Sequence, residues 1–189
     1  MRSILVLTAA VAALGLATTV SAQPAPAMAP LGVDVNVTIG PALQTKVKDF
    51  GPQEIVYISK DLHDAVSHAF TRSKTERPTR VDLVIEDATP NRPTFDQLGR
   101  TVGLSYRSIG LGGARVSGVA TFADGSQRPF KEQFYETDLR DDRGADTWYD
   151  ANRAFDQVAY DIGRGKYRMD YAGPGPTGSG HFGYPFTDR

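Results

Sequence analysis

Residues 114–135 read ARVSGVATFADGSQRPFKEQFY, and this stretch decides the fold class. Two runs rich in branched and aromatic residues, 114–122 and 127–135, flank the dipeptide Asp124-Gly125. Such a dipeptide between two runs of this kind predicts a β-hairpin with a type I′ turn. Because Pro129 has no amide hydrogen to donate, the second strand is predicted to lie at a sheet edge or to contain a bulge.

Helical periodicity appears on both sides of this hairpin. Apolar residues recur at helical spacing between residues 53 and 72, where Pro52 suits the first turn, and again between 147 and 162. Thr147 followed by Asp150 resembles a capping box, and Gly163 is predicted to end the second helix. The sequence therefore predicts one long helix before the hairpin and another after it.

Three further strands are predicted upstream of the hairpin. Residues 33–39 alternate apolar and polar side chains, residues 81–86 are apolar and branched, and residues 104–109 follow a proline-rich loop. The predicted order is β-α-β-β-β-β-α. The fold class is accordingly α+β, a two-layer sandwich of a mainly antiparallel four- to five-stranded sheet with two helices on one face, forming a single domain over residues 31–168.

The two ends of the chain have a different composition. Residues 1–22 contain Arg2, an uncharged run over 4–17 and small residues at Val20 and Ala22, which predicts a signal peptide cleaved after Ala22. The run is shorter than the roughly 20 apolar residues of a membrane span, so no stable anchor is expected after cleavage. Residues 23–30 form a proline-rich lead-in, and the Gly/Pro/aromatic-rich tail at 169–189 is predicted to be disordered. The predicted location is periplasmic or secreted.

Composition excludes several classes of function. The chain has no cysteine, so disulfides, thiolate metal sites, thiol nucleophiles and a lipidated N-terminal cysteine are excluded. A formal net charge of -1 gives no field that would attract a nucleic acid. No nucleic-acid partner is therefore expected.

No motif in the sequence predicts a cofactor or a metal. The glycine-rich run 110–114 lacks the Lys-Ser/Thr of a phosphate loop and precedes a strand, which favours a tight connection. His63 and His68 are five residues apart, a spacing that does not place two ligands on one helix face. The acidic loop 138–146 lacks the spacing of a calcium loop and is interpreted as a charged turn before the second helix.

The catalytic residues remain unknown at this point. No Gly-x-Ser-x-Gly motif occurs, and the carboxylates of Glu86, Asp87, Glu132 and Glu136 are candidates for a small periplasmic hydrolase only if they meet in space. Six aromatic residues of the predicted strands and second helix could line a core or a pocket and are expected in the core: Tyr106, Phe130, Phe134, Tyr135, Trp148 and Tyr149. A small-molecule carrier with a pocket between sheet and helices is a further alternative. The aromatic residues of the tail are candidates for contact with a partner or with the domain itself: Phe182, Tyr184 and Phe186.

One segment carries a family resemblance. The run from Ser108 to Val116, followed by Asp124-Gly125 and preceded by a strand and a long helix, resembles uncharacterised bacterial periplasmic and outer-membrane lipoprotein families, including auxiliary lipoproteins of envelope transport systems. Those families usually carry a lipidated cysteine, which this chain lacks. The resemblance implies a non-enzymatic role in binding or assembly in the cell envelope, with an envelope protein or component as partner, and transfers no functional residue.

Overall fold

The computed structural model describes residues 32–141 and 146–171. These residues form four strands, four α-helices and a short 3-10 helix at Leu139–Asp141. The strands and α-helices are β1 Asp34–Ile39, α1 Pro41–Phe50, α2 Pro52–Arg72, β2 Arg80–Thr89, α3 Phe95–Arg100, β3 Gly113–Thr121, β4 Gln127–Tyr135 and α4 Tyr149–Gly163. The signal peptide, the lead-in and residues 172–189 of the tail lie outside the described residues.

The four strands form one mixed sheet in the order β1-β2-β3-β4. The β2–β3 and β3–β4 pairs are antiparallel, as predicted, whereas β1 and β2 are parallel. The parallel pair follows from α1 and α2, which form the crossover that returns the chain to the same end of the sheet. The α+β class is confirmed, and the sheet has four strands with one parallel pair.

Both long helices cover the same face of the sheet, which we call the inner face. Its central side chains, among them Val81, Leu83 and Val116, are almost fully buried in one core with the apolar stripes of α2 and α4. The opposite, outer face has partly exposed side chains at alternate positions of the same strands. The fold is therefore a two-layer sandwich with one face of the sheet left without a helix layer in the described residues.

One predicted strand is absent from the structure, and two of its helices were not predicted. The predicted strand at 104–109 is a loop with a single bridge residue at Ile109, because β2 pairs directly with β3. The helix α1, which begins at Pro41, was not predicted. The helix α3 was not predicted, because none of its side chains is buried and it therefore has no apolar stripe.

Local turn chemistry also differs from the prediction at two places. The hairpin between β3 and β4 is present, but Asp124 has a negative φ and only Gly125 has a positive φ, of 82°, so the turn is not type I′. The first turn of α4 has no capping box, because Trp148 occupies the N-cap and Asp150 accepts a hydrogen bond from outside the helix. Gly163 ends α4 as predicted. Pro129 lies in β4, which is an edge strand of the sheet.

Candidate functional site

The connection between β2 and β3, residues 90–112, is the part of the domain that departs most from the two-layer plan. Its base is fixed by Asn91, which is fully buried. The Asn91 amide donates to the Thr147 carbonyl at 3.0 Å, and the Asn91 carbonyl accepts from the Gly110 amide at 2.9 Å. The Gly112 amide donates to the buried carboxylate of Asp150 at 3.2 Å. Both ends of the connection are thus tied to the start of α4.

The glycine-rich run serves this packing. A Cβ at Gly112 would lie 2.8 Å from the Asn91 Cβ and 2.9 Å from its backbone nitrogen. At Gly113, where φ is 151°, a Cβ would lie 2.2 Å from the Phe134 carbonyl oxygen. These glycines therefore allow close approach of two backbone segments, as expected of a tight connection.

The tip of the connection is held by its own hydrogen bonds. Thr94 and Gln97 form a complete capping box at the start of α3. Arg100 at the end of α3 donates to the Asp49 carbonyl of α1 at 3.2 Å and pairs with Asp96. Ser108, which is buried, accepts from the Ser105 amide at 3.1 Å. The backbone of the tip is therefore fixed relative to the rest of the domain.

This fixed tip exposes large apolar side chains. Phe95 is 72% exposed, Val102 98% and Tyr106 66%. The rings of Phe95 and Tyr106 contact each other edge to face, with centroids 6.0 Å apart and planes at 74°. We call Phe95, Val102 and Tyr106 the connection patch. Among the described residues it combines ordered backbone with apolar side chains that take no part in the core.

Reasoning from sequence alone did not find this patch. Tyr106 was expected in the core on a third strand, and the structure corrects this, because Tyr106 lies on a turn and points into solvent against Phe95. One signal for α3 was available, since Thr94-Phe95-Asp96-Gln97 has the Ser/Thr-x-x-Glu/Gln form of a capping box. No comparable sequence motif indicates that the side chains of Phe95 and Tyr106 are exposed.

A second group of polar residues lies on the outer face of the sheet. A bulge between Ile85 and Asp87 interrupts the alternation of β2, so Glu86 and Asp87 both lie away from the inner face, between the buried Ile85 and Ala88. Asp87 forms an ion pair of 2.6 Å with Lys46 of α1. Glu86 has a different partner, because its carboxylate accepts from the Tyr171 hydroxyl.

Glu86 is held by the outer-face cluster, which we define as Glu86, Arg115, Lys131 and Tyr171. The Tyr171 hydroxyl donates to the Glu86 carboxylate, and the Tyr171 ring lies 4.9 Å from the Arg115 guanidinium carbon and 5.3 Å from Lys131 Nζ. Burial raises the pKa of Glu86, but the hydroxyls of Tyr171 and Ser117 and the two cations outweigh it and leave the pKa below its usual value. Burial and the neighbouring Glu86 raise the pKa of Tyr171. The cluster therefore holds a charged carboxylate against a neutral phenol.

The other predicted carboxylates do not join Glu86. Glu132 is buried on the inner face, beside α4, where burial is the main cause that raises its pKa and Arg168 opposes the shift. Glu136 follows β4 and pairs with Arg153 at 3.1 Å. Glu86 and Glu132 thus lie on opposite faces of the sheet.

Glu132 lines a small groove between β4, α4 and the segment after α4. It encloses about 180 Å³, open solvent at its mouth included. Its walls include Phe130 and Val158 together with the charged residues Asp161 and Arg168, which pair at 3.4 Å. The space that a water molecule can occupy in it is about 10 Å³, whereas pockets for small ligands usually have about 300 Å³ or more.

The remaining candidate residues are dispersed. His63 and His68 are both exposed on α2. In the acidic loop, the Arg140 side chain and backbone hold the pKa of Asp138 at about 2. Among the described residues, no group of three or more histidine or acidic side chains is placed to hold a metal ion. Phe182, Tyr184 and Phe186 lie outside the described residues, as does Ala22.

Comparison with known proteins gives no relative for this fold and site. No family model matches the chain, and neither the curated proteins nor the solved structures contain a significant match. No helix within residues 32–141 and 146–171 combines the length and apolar character needed to cross a membrane.

Proposed function

We propose that this protein is an exported, non-enzymatic binding module of the bacterial cell envelope, and that the connection patch is its contact surface for a partner protein. Export rests on the signal-peptide pattern of residues 1–22. The envelope role rests on that pattern and on the resemblance of the segment from Ser108 to Val116 to envelope lipoprotein domains. The contact surface rests on the geometry of residues 90–112.

The observation that carries the proposal is the exposure of Phe95, Val102 and Tyr106 on a fixed backbone. Exposed apolar side chains that cluster at one site are typical of protein contact surfaces. A contact surface that is ordered before binding loses less conformational entropy on association. The anchors at Asn91 and Arg100 provide this order.

The chemistry of the patch indicates the kind of partner. Two aromatic rings and a valine, with the exposed Arg107 next to Tyr106, have the composition that is enriched in protein interfaces. Such rings act as anchors when a partner offers an apolar pocket for them. We therefore infer a partner protein with an apolar depression of the size of one or two aromatic rings.

The hydrolase and carrier alternatives have less geometric support. A carboxylate mechanism needs two groups about 5 to 10 Å apart in one cleft. Glu86 and Glu132 lie on opposite faces of the sheet. Glu132 shares its small groove with Asp161, but Asp161 is paired there with Arg168. A carrier needs an apolar cavity, whereas the inner-face side chains and the helix stripes pack together in one core. A binding module, unlike a hydrolase or a carrier, gives a role to the exposed side chains of the connection patch.

The test compares capture of partner proteins by three forms of the full chain. Wild type, a Phe95→Asp, Tyr106→Asp double variant and a Tyr160→Asp control are used as bait in the envelope fraction of the source organism. Tyr160 is 53% exposed on α4 and outside the patch. A partner retained by wild type and by the control but lost with the double variant supports the proposal. Equal retention by all three forms contradicts it.

Export has its own measurement. The mature protein in the envelope fraction is expected to begin at Gln23, after cleavage at Ala22, as read by mass spectrometry of its N-terminal peptide. A chain that retains residues 1–22 and stays in the cytoplasmic fraction contradicts the export part of the proposal, whatever the binding result.

A further inference from the structure

The two edges of the sheet differ in how they are protected. The β4 edge contains Pro129, and its Lys131 amide donates to the Arg168 carbonyl at 2.7 Å, so the segment after α4 covers part of it. On the β1 side, no strand of the described residues pairs with the outer edge. The strand β1 has no proline and no lysine, and its register with β2 is unbroken over six pairs. It therefore lacks the proline, the lysine and the bulge that commonly keep an edge from pairing.

The hydrogen-bonding groups of this free edge can be assigned. The amides of Asp34 and Gly40 donate to β2, at Thr79 and Ile85. Because the direction of N–H and C=O alternates along a regular strand, the groups of residues 35, 37 and 39 point away from β2. Their side chains lie on the inner face, where Val35 is buried and Val37 and Ile39 pack partly against the core. The edge thus has unpaired N–H and C=O groups beside an apolar row, Val35, Val37 and Ile39, that the core covers only in part.

The tail contains one segment that matches this edge. Residues 182–186 read FGYPF, with aromatic residues at alternate positions and a proline between two of them. Alternation of this kind gives a strand one apolar face. Pro185 has no amide hydrogen, so its position is acceptable only where the amide would point away from β1.

The proline restricts the ways in which this segment can pair. In an antiparallel arrangement, residues opposite 35, 37 and 39 direct their amides to β1 and their side chains to the inner face. Placing Phe182, Tyr184 and Phe186 there leaves the amide position of Pro185 pointing to solvent. A parallel arrangement that leaves Pro185 unpaired instead puts the rings on the outer face, beside the polar Asp34, Asn36 and Thr38. The apolar inner row favours the antiparallel arrangement.

The chain has the reach for this pairing. The described part ends at Tyr171, whose hydroxyl contacts Glu86 near the end of β2 that neighbours Ile39 of β1. An antiparallel segment on β1 starts at that same end. Crossing the whole sheet from beyond β4 to beyond β1 takes five strand spacings, about 24 Å. Residues 172–181 reach about 33 Å when extended.

We propose that residues 182–186 add to the free edge of β1 of the same molecule as a fifth, antiparallel strand, with Phe182, Tyr184 and Phe186 covering the apolar row of Val35, Val37 and Ile39. Gly183 then lies opposite Thr38, and Pro185 lies opposite Asn36. This proposal does not depend on the connection patch. It implies that any partner of the tail aromatic residues competes with β1.

The absence of cysteine makes a disulfide test unambiguous. In the full chain, Thr38→Cys and Gly183→Cys place two cysteines directly opposite each other in a non-hydrogen-bonded pair. The Cα atoms of such a pair lie about 4.5 Å apart, and a disulfide fits between them. Two control pairs keep Gly183→Cys and move the other cysteine to Asp34, at the far end of β1, or to Asp82, on the outer face of β2. The Thr38 pair is expected to form an intramolecular disulfide at least 10-fold faster than either control.

Each other outcome overturns the proposal. Equal rates for the three pairs mean that the tail does not select the edge, and a faster Asp82 pair means that it lies across the outer face. Disulfide-linked dimers from the Thr38 pair mean that the strand is exchanged between copies. As a second measurement, a Tyr184→Asp, Phe186→Asp variant of the full chain is expected to speed amide exchange at Val37 at least 10-fold. An unchanged exchange rate there contradicts strand addition without the use of cysteines.

Discussion

The rings of Phe95 and Tyr106 contact each other edge to face, with their centroids 6.0 Å apart, while both side chains remain largely exposed to solvent. A contact in the core would stabilise the fold by burial, whereas this one leaves most of each ring in water. Phe95→Ala and Tyr106→Ala are therefore expected to lower the free energy of unfolding by no more than about 1 kcal/mol each. Urea denaturation measures this.

The comparison residue for that experiment is Phe155, which is buried in α4. Phe155→Ala is expected to cost about 3 to 5 kcal/mol. A loss of that size at Phe95 or Tyr106 would mean that the patch belongs to the core, and its role as a contact surface would lose its basis.

Asn91 is expected to control the order of the whole connection. Asn91→Ala removes a fully buried side chain whose Oδ1 accepts from the Asp150 amide at 3.4 Å. The expected cost is about 2 kcal/mol, with faster amide exchange throughout residues 95–108. Asn36→Ala is the matched control, because Asn36 is an exposed asparagine whose side chain donates to Asp82 at 3.2 Å. Unchanged exchange in the connection of Asn91→Ala contradicts the anchoring role.

Tyr171 is expected to set the pKa of Glu86. Tyr171→Phe removes the hydroxyl that donates to Glu86, so the pKa of Glu86 rises towards its ordinary value. Because the pKa of Glu86 is lower in the folded chain than in the unfolded chain, its contribution to stability is present above the unfolded pKa and is lost as the pH falls through the folded pKa. The variant is therefore less stable at pH 7, by no more than about 1 kcal/mol for this partly exposed group, and equal to wild type at the acid end.

Carboxyl chemical shifts recorded during a pH titration measure the Glu86 pKa itself. Tyr160→Phe is the matched control, since it removes a phenol hydroxyl that bonds Arg164 on α4 and does not touch Glu86. An identical titration of Glu86 in wild type and Tyr171→Phe rules out the hydrogen bond as a cause of the low pKa.

Glu132 is expected to change the stability with pH in the opposite direction to Glu86. Burial raises its pKa in the folded chain, so the folded chain holds the proton in a pH range where the unfolded chain has released it. The free energy of unfolding therefore falls as the pH rises from the unfolded pKa, about 4.3, through the folded pKa. The Glu132→Gln variant has no carboxyl group at this position, so this fall in the free energy of unfolding does not occur in it. The stability of the variant minus that of wild type should increase between pH 4 and pH 7, as measured by thermal or urea unfolding, and a constant difference contradicts this assignment.

The elements of the fold that could be predicted are those in which apolar residues recur with a regular period along the sequence. The stripes of α2 and α4 and the alternation of β1 follow from repeated burial of one face, and burial is what a hydrophobic pattern records. The direction of β1 relative to β2 was not predictable in this way. It depends on the crossover through α1, whose short apolar set of Leu43, Val47 and Phe50 gave a weak signal beside Gly40-Pro41.

The candidate site was largely hidden from the sequence for a related reason. The side chains of α3 are not buried, so no period marks the helix, and the exposed rings of Phe95 and Tyr106 look in sequence like core aromatics. The bulge that places Glu86 and Asp87 together off the inner face depends on the pairing of β2 with β3. Local patterns report which residues are apolar, and only the tertiary structure determines which of them stay exposed.

Site-specific photocrosslinking in cells of the source organism tests the role of the connection patch. A photoreactive amino acid is placed in the full chain at position 95, at position 106 or, as the control, at the exposed position 160. Positions 95 and 106 are expected to give a discrete adduct with the same envelope protein, and position 160 is expected to give none with that protein. The absence of an adduct at 95 and 106, or equal yields of it at all three positions, would contradict the assignment of Phe95, Val102 and Tyr106 as the contact surface.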